Sequence, residues 1–102
     1  MNNLKLETFI GIVGRKPELK YTSKSKPVCS LSVAVKNLES DKTIWKKVTV
    51  WDRQAELCSV QLKTGSEVFV HGRSVTKPYK TESGEEKSYE EITAKLVGFT
   101  NI

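Results

Sequence analysis

Five segments of the chain alternate apolar and polar side chains, and one helical segment interrupts this pattern between the third and the fourth. Such alternation is typical of β-strands that bury one face, because successive side chains along a strand point to opposite sides. The pattern therefore predicts a mostly β protein with a single helix. The five strands are predicted over residues 4–14, 29–35, 44–51, 67–77 and 89–99.

The helix is predicted directly after the third strand. Asp52 occupies the position of an N-cap, and Gly65 follows as a stop signal. The apolar face of the predicted helix, residues 53–63, is made of Ala55, Cys58 and Leu62. Two connectors are predicted to lack regular structure: residues 15–27, which contain two prolines and two serines, and the polar hairpin tip at 78–87.

Three strands, a helix and two further strands make up the connectivity of an OB-fold. This is a five-stranded Greek-key barrel with a helix between its third and fourth strands, and it frequently binds nucleic acids. A chain of 102 residues fits one small domain, and its 37% hydrophobic content is enough for a compact core. We therefore predict an all-β protein in which residues 1–102 form one OB-fold domain.

The third strand carries tryptophans on one face. Trp45, Lys47 and Trp51 fall on the same side, whereas Val48 and Val50 fall on the other, the side predicted to face the core. A lysine between two indoles would be an odd choice for a core. It suits a surface that stacks bases and attracts phosphates, which is how single strands are held without sequence readout. The alternative interpretation is that both indoles are buried in a core or in a subunit interface.

The charge of the chain is unevenly distributed. The net charge is +5, but residues 1–81 hold 15 Lys and Arg against 7 Asp and Glu, whereas residues 82–102 hold 2 against 5. A basic surface indicates a polyanionic partner, of which nucleic acid is the commonest. The alternative is that the charge serves solubility alone.

No pattern of catalytic or metal-binding residues is visible. His71 lies within a predicted strand without a neighbouring nucleophile, and is interpreted as a surface or interface histidine. Cys29 and Cys58 are far apart and lack a CxxC spacing, so both are predicted to be buried, as in a reducing compartment. The acids Glu82, Glu85, Glu86, Glu90 and Glu91 follow no ion-binding spacing and are interpreted as a solvated face. We therefore expect no enzymatic activity, no cofactor and no metal.

No apolar run approaches the length of a membrane span, and the first residues lack the hydrophobic stretch of a signal peptide. We therefore expect no membrane association, and a cytoplasmic, nucleoid-associated location.

Two motifs are fairly specific when taken together: GRKPELKY at 14–21, and L-x-x-G-S-x-V-x-V-x-G at 62–72. With residues 43–48 and 55–57, they resemble the bacterial single-stranded DNA-binding proteins over nearly the whole chain. The resemblance implies OB-folds in a homotetramer, with a dimer as the second choice, around which single-stranded DNA wraps. The apolar side chains Leu4, Leu6 and Phe9 of the first strand are predicted to form part of the contact between copies.

The resemblance also assigns aromatic positions. Trp45, Trp51 and Tyr79 match positions at which family members stack bases. A further family aromatic, in the loop between the second and third strands, has no counterpart in residues 37–42. The sequence ends at residue 102 without the flexible linker and acidic tip typical of the family, so we expect either a short form without tail-mediated recruitment or a chain from which the tail was removed.

Seven cations are candidates for phosphate contacts: Arg15, Lys20, Lys47, Arg53, Arg73, Lys77 and Lys80. Arg15, Lys47, Arg73 and Lys77 rank highest, because they share loops or strand faces with the aromatics or belong to the matching motifs.

The predicted function is non-specific binding of single-stranded DNA in replication, recombination or repair, with replication or restart proteins as further partners. Two alternatives remain open from the sequence. One is an accessory protein of restart primosomes, similar to the primosomal replication protein B family, and the other is an OB-fold that contacts only proteins.

Overall fold

A computed structural model describes residues 5–36, 39 and 42–99 of the chain. The elements, in chain order, are β1 (Lys5–Val13), β2 (Glu18–Tyr21), β3 (Pro27–Lys36), β4 (Thr43–Trp51), α1 (Asp52–Gln61), β5 (Glu67–Lys80) and β6 (Glu86–Phe99). The predicted loop at 37–42 lies largely outside the described residues, as does Leu4.

Five of the strands close into a barrel. They follow the order β1-β5-β6-β4-β3, and β3 pairs back to β1 through Ile12↔Ala34 and Val13↔Val33. The closure brings the backbones close together at Gly11, where a Cβ atom would lie 2.6 Å from the carbonyl oxygen of Ala34. With α1 between β4 and β5, the predicted OB-fold is confirmed.

A sixth strand lies in the connector 15–27, so the prediction that this segment lacks regular structure is wrong. β2 pairs antiparallel with β3 through Leu19↔Cys29. Pro17 directly precedes β2, and Pro27 is the first residue of β3, so neither proline lies in the middle of a strand. The polar residues make the turn: the hydroxyl of Thr22 accepts hydrogen bonds from the backbone amides of Lys24 and Lys26 at 3.3 and 3.2 Å. Polar side chains here therefore end a hairpin rather than prevent one.

The hairpin of β5 and β6 is longer than predicted. The ladder continues through Tyr79↔Lys87 and Lys80↔Glu86, so the turn covers only residues 81–85. Lys95 is an extra residue in β6, because His71 pairs with Leu96 and Gly72 with Ala94. The ladder is therefore irregular at Gly72, while Gly98 lies in a regular part of it, opposite Phe69.

The helix starts differently from the prediction. Asp52 has a φ of 61° and is the first residue of α1, so it is not the N-cap; Trp51 occupies that position without a side-chain cap. Gly65 lies beyond the C-cap residue Leu62, and its backbone amide donates to the carbonyl of Val13 at 2.8 Å. The side chain of Gln54 fixes α1 on β6, because its amide donates to the Lys95 carbonyl and its oxygen accepts from the Val97 amide, both at 3.0 Å.

The core lies inside the barrel and under one face of α1. Its buried members are Val13, Cys29, Leu31, Val33, Val48, Val50, Ala55, Cys58, Leu62, Val68, Val70, Ile92 and Val97. Both cysteines are free and buried, as predicted. Burial raises the pKa of Cys58 to about 12, with a smaller contribution from Cys29, so the thiol stays protonated.

The apolar alternation of β1 faces outward. Leu6, Ile10 and Ile12 are exposed, whereas Phe9 packs against the core. Phe9 was predicted to contact a second copy, but its side chain is used within the chain instead. Within the described ranges, no helix is long and apolar enough to cross a membrane.

Candidate functional site

The outer face of β3, β4, β6 and β5 gathers most of the predicted site residues. Across this face, Ser32 of β3 pairs with Lys47 of β4, Lys47 pairs with Glu91 of β6, and Glu91 pairs with Val75 of β5. Because directly paired residues point to the same side of a sheet, residues from four strands form one continuous surface. We call this surface the outer sheet face.

The alternation predicted for β4 is confirmed. Val48 and Val50 are buried, while the side chain of Trp45 is 61% exposed and that of Trp51 is 37% exposed. The interpretation that both indoles lie in the core of this chain is therefore wrong.

A groove of about 420 Å³ joins Trp45 and Lys47 of β4 to Arg15 of the loop between β1 and β2. Lys16 and Ser32 also line it, and Glu18 is an acid within the same lining. The ring of Trp45 lies against Gly14, where a Cβ atom would meet the six-membered part of the indole. The groove therefore combines an open aromatic ring with the cations Arg15, Lys16 and Lys47.

A second concavity, of about 470 Å³, continues from Lys47 toward the hairpin of β5 and β6. Tyr79 and Tyr89 line it, with ring centroids 5.8 Å apart, and the Lys47 ammonium lies 5.4 Å from the Tyr89 ring centre. Lys47 is thus common to both concavities, which makes one path past Trp45 to the two tyrosines.

Tyr89 was not among the predicted site residues. Its position in an alternating strand places it on the same side as Glu91, but the registers that bring it to Tyr79 and Lys47 join segments distant in sequence. The sequence indicated only which face of its own strand Tyr89 occupies, and not which residues of other strands lie beside it.

Two of the acids interpreted as a solvated face are ion-paired instead. Glu91 lies between two lysines, with Oε2 3.7 Å from Lys47 Nζ and Oε1 3.1 Å from Lys77 Nζ. The hydrogen bond and charge of Glu91 raise the pKa of Lys77. Glu90 lies 3.6 Å from Lys46, whereas Glu82, Glu85 and Glu86 are exposed as predicted.

The other predicted cations are spread more widely. Arg73 is exposed on the outer sheet face, opposite Thr93 of β6, and Lys80 lies beside Tyr79 near the hairpin turn. Lys20 pairs with Val28, which in turn pairs with Trp51.

Trp51 lies at the far end of β4, outside both concavities, with Lys26 Nζ 5.9 Å from its ring centre. Arg53 is exposed in the first turn of α1 and lines neither concavity. The structure therefore brings Arg15, Trp45, Lys47, Lys77 and Tyr79 together more closely than the rest.

Lys46 points to the opposite side of β4, into the mouth of the barrel. Its Nζ donates to Glu7 Oε1 at 3.1 Å, with side chains only 17% and 14% exposed, and lies 5.8 Å from the Phe9 ring centre. Burial raises the pKa of Glu7, but the side chains of Lys46 and Ser74 and the charge of Lys5 together lower it more, so the pKa lies below its usual 4.5. This ion pair ties β1 to β4 behind the outer sheet face.

His71 lies on the outside of the barrel, half-buried, with Nδ1 2.8 Å from the Thr8 hydroxyl. In the part of the chain that the structure describes, no group of three or more His, Cys, Asp or Glu side chains could hold a metal ion.

Comparison with known proteins gives a consistent result. The family described as "Single-strand binding protein family" matches residues 1–100. Two curated relatives, each called "Single-stranded DNA-binding protein", come from Neisseria meningitidis serogroup A and serogroup B. Each is 31% identical over 103 residues, which cover 91% of this chain and 59% of the relative. The chain thus spans a little over half the length of these relatives.

Proposed function

Because this chain belongs to the single-strand binding protein family, we propose that it binds single-stranded DNA without reading its sequence. The observation that carries the proposal is the path on the outer sheet face from Arg15 past Trp45 and Lys47 to Tyr79 and Tyr89. Exposed rings separated by cations can stack successive bases while the ammonium and guanidinium groups neutralise phosphates.

The rings and the cations take different roles. Trp45, Tyr79 and Tyr89 offer π-faces, which accept any base, so binding is tolerant of sequence. Arg15, Lys47 and Lys77 contact phosphates and so position the strand without specifying it. Arg73 extends the same surface. Lys80, the residue after Tyr79, points to the other side of the hairpin and adds positive charge near its turn. Trp51, Lys20 and Arg53 serve a strand that continues beyond the two concavities.

A tryptophan fluorescence titration tests the proposal. Oligo-dT should quench emission, because stacked bases lie on Trp45, and Trp45→Phe should remove most of the quenching while anisotropy of a labelled oligonucleotide still reports binding. Emission that stays constant, together with constant anisotropy at low salt, would contradict the proposed function. This result would favour an OB-fold that contacts only proteins.

We propose further that several copies assemble, as a homotetramer with a dimer as the second choice. An exposed apolar surface supports this: Leu6 and Ile10 of β1, Phe69 of β5 and Leu96 of β6 are 57%, 60%, 37% and 53% exposed. Register places Ile10 opposite Phe69, so these side chains form a contiguous patch. Patches of this kind on a small domain mark interaction sites.

From its family we also propose for this chain roles in replication, recombination and repair, further protein partners, a cytoplasmic location and no catalysis.

A further inference from the structure

Glu91 stands in the middle of a surface proposed to bind a polyanion. Its register partners are Lys47 on β4 and Val75 on β5, so its side chain emerges on the outer sheet face beside Lys47, the residue that both concavities share. The two carboxylate oxygens face different lysines, with Oε2 toward Lys47 and Oε1 toward Lys77. A carboxylate at this position should repel a phosphate and weaken the binding of a polyanion.

The three side chains differ in how far they reach into solvent. Glu91 is 18% exposed, whereas Lys47 and Lys77 are 53% and 49% exposed. The carboxylate is therefore held at the level of the sheet, while the ammonium groups lie on long side chains that can turn outward. Lys47 has a second contact within the protein, the ring of Tyr89 at 5.4 Å.

The geometry resembles that of two cations bound to one phosphate. Lys47 and Lys77 each face one oxygen of the same carboxylate. The three side chains together carry a charge of +1, and the two lysines alone would carry +2. Both lysines also border the tyrosine rings, because Lys77 is opposite Tyr89 in the β5–β6 ladder. A phosphate that follows a base stacked on these rings would meet the same two ammonium groups.

We propose that Glu91 is an internal counterion of the DNA-binding surface, and that a bound strand replaces its carboxylate by a phosphate between Lys47 and Lys77. This inference rests on the proposed function and adds a residue that limits affinity. Each binding event breaks two ion pairs within the protein, so the strand is held less tightly and leaves more readily. Before binding, the same carboxylate keeps both lysines at the site.

Glu91→Gln tests the inference, because it keeps the shape and removes the charge. In an oligo-dT titration at low salt, affinity should rise about three- to tenfold, as expected for removal of one like charge a few ångströms from a phosphate at a screened surface. One more cation becomes free for phosphate, so the slope of log affinity against log salt should steepen by about 0.7. The gain should disappear at high salt.

Two comparisons separate a local effect from a general change of charge. Glu82→Gln removes the same charge from an exposed site in the hairpin turn, and should raise affinity much less. In a chain that also carries Lys47→Ala and Lys77→Ala, Glu91→Gln should raise the affinity for oligo-dT no more than Glu82→Gln does. An equal gain from both glutamine variants, or a gain that survives loss of both lysines, would overturn the inference.

Thermal melting of each variant excludes a trivial loss of fold. If Glu91→Gln is unstable, Glu91→Asp retains the charge but is too short to reach both lysines, and should give a smaller gain in affinity. A folded variant that binds equally well or more weakly than the original chain contradicts the inference alone. Failure of the original chain to bind oligo-dT contradicts the proposed function itself.

Discussion

Gly14 shows how one residue without a side chain can shape a binding surface. The Trp45 ring lies where a Cβ atom on Gly14 would be, and Gly14 has no positive φ, so available space is the main constraint at this position. A flat ring can lie against the backbone here and keep its outer face free. The position of the open ring therefore depends on a residue that has no side chain of its own.

We predict that Gly14→Ala displaces the indole and weakens binding of oligo-dT by up to about 1 to 3 kcal/mol, the range for loss of one stacked base. Anisotropy titrations measure the change. In a Trp45→Ala background, the same substitution should add little, because the ring it displaces is already gone. Full additivity of the two losses would contradict this explanation.

Tyr89 provides a second prediction at the same scale. Tyr89→Ala should cost about 1 to 3 kcal/mol in binding, whereas Tyr89→Phe should retain most of the affinity, because stacking needs the ring and not the hydroxyl. Tyr21 is a matched control, since it is an exposed tyrosine of β2 that lines neither concavity. A similar loss for Tyr21→Ala would mean that Tyr89 has no special role.

Trp45 and Lys47 could be predicted from sequence because two residues of one strand need only parity to share a face. Tyr89 and Glu91 could not be assigned in this way. Their roles depend on the parallel register between β4 and β6, in which Lys47 lies opposite Glu91, and no local pattern specifies a register between distant segments.

The elements themselves follow the sequence where alternation is strong, and differ where it is weak. β3 and β4 lie close to the predicted segments, because buried aliphatic residues recur at every second position. β2 and the outermost residues of the β5–β6 ladder, 78–80 and 86–87, were predicted as loops, because their composition is polar. Pairing to a neighbouring strand stabilises such segments regardless of composition, which is why local preference failed there.

The Glu7–Lys46 ion pair, which joins β1 to β4, gives a prediction about acid stability. Glu7 has a lowered pKa in the folded chain. Its contribution to the free energy of unfolding is therefore complete at pH values above its usual pKa of 4.5, and is lost as the pH falls through the lowered pKa. Glu7→Gln should lower stability at neutral pH by about 1.5 to 3 kcal/mol, as for a hydrogen bond between charged groups. The two chains should then become similar in acid.

Melting temperatures across an acid titration measure this effect. Glu85→Gln is the control, since Glu85 is exposed in the hairpin turn, and its loss should leave the acid dependence unchanged. If the difference in melting temperature between Glu7→Gln and the original chain stays constant with pH, the ionised Glu7 carboxylate does not stabilise the fold as proposed.

At the scale of the whole molecule, the exposed apolar patch around Ile10 predicts assembly. Ile10→Lys should reduce the mass measured by light scattering, because a charge would be buried between copies. The barrel should persist, since the side chain is 60% exposed in the single chain. Val60→Lys is the control: Val60 is 79% exposed on α1, outside the patch, and its substitution should leave the mass unchanged. A monomeric original chain at micromolar concentration would contradict the proposed assembly.

The closure of the barrel also has a consequence for how the chain reaches its native state. β1 makes its long ladder with β5, from Lys5↔Ser74 to Ile12↔Glu67, and β4 pairs with β6 across the helix. Contacts this distant in sequence give a high contact order, and domains of this kind refold in about milliseconds to seconds. During synthesis, β1 leaves the ribosome first but lacks its main partner until β5 follows. Until then, Leu6 and Ile10, whose ladder partners Arg73 and Phe69 lie in β5, belong to an apolar segment that has not yet paired.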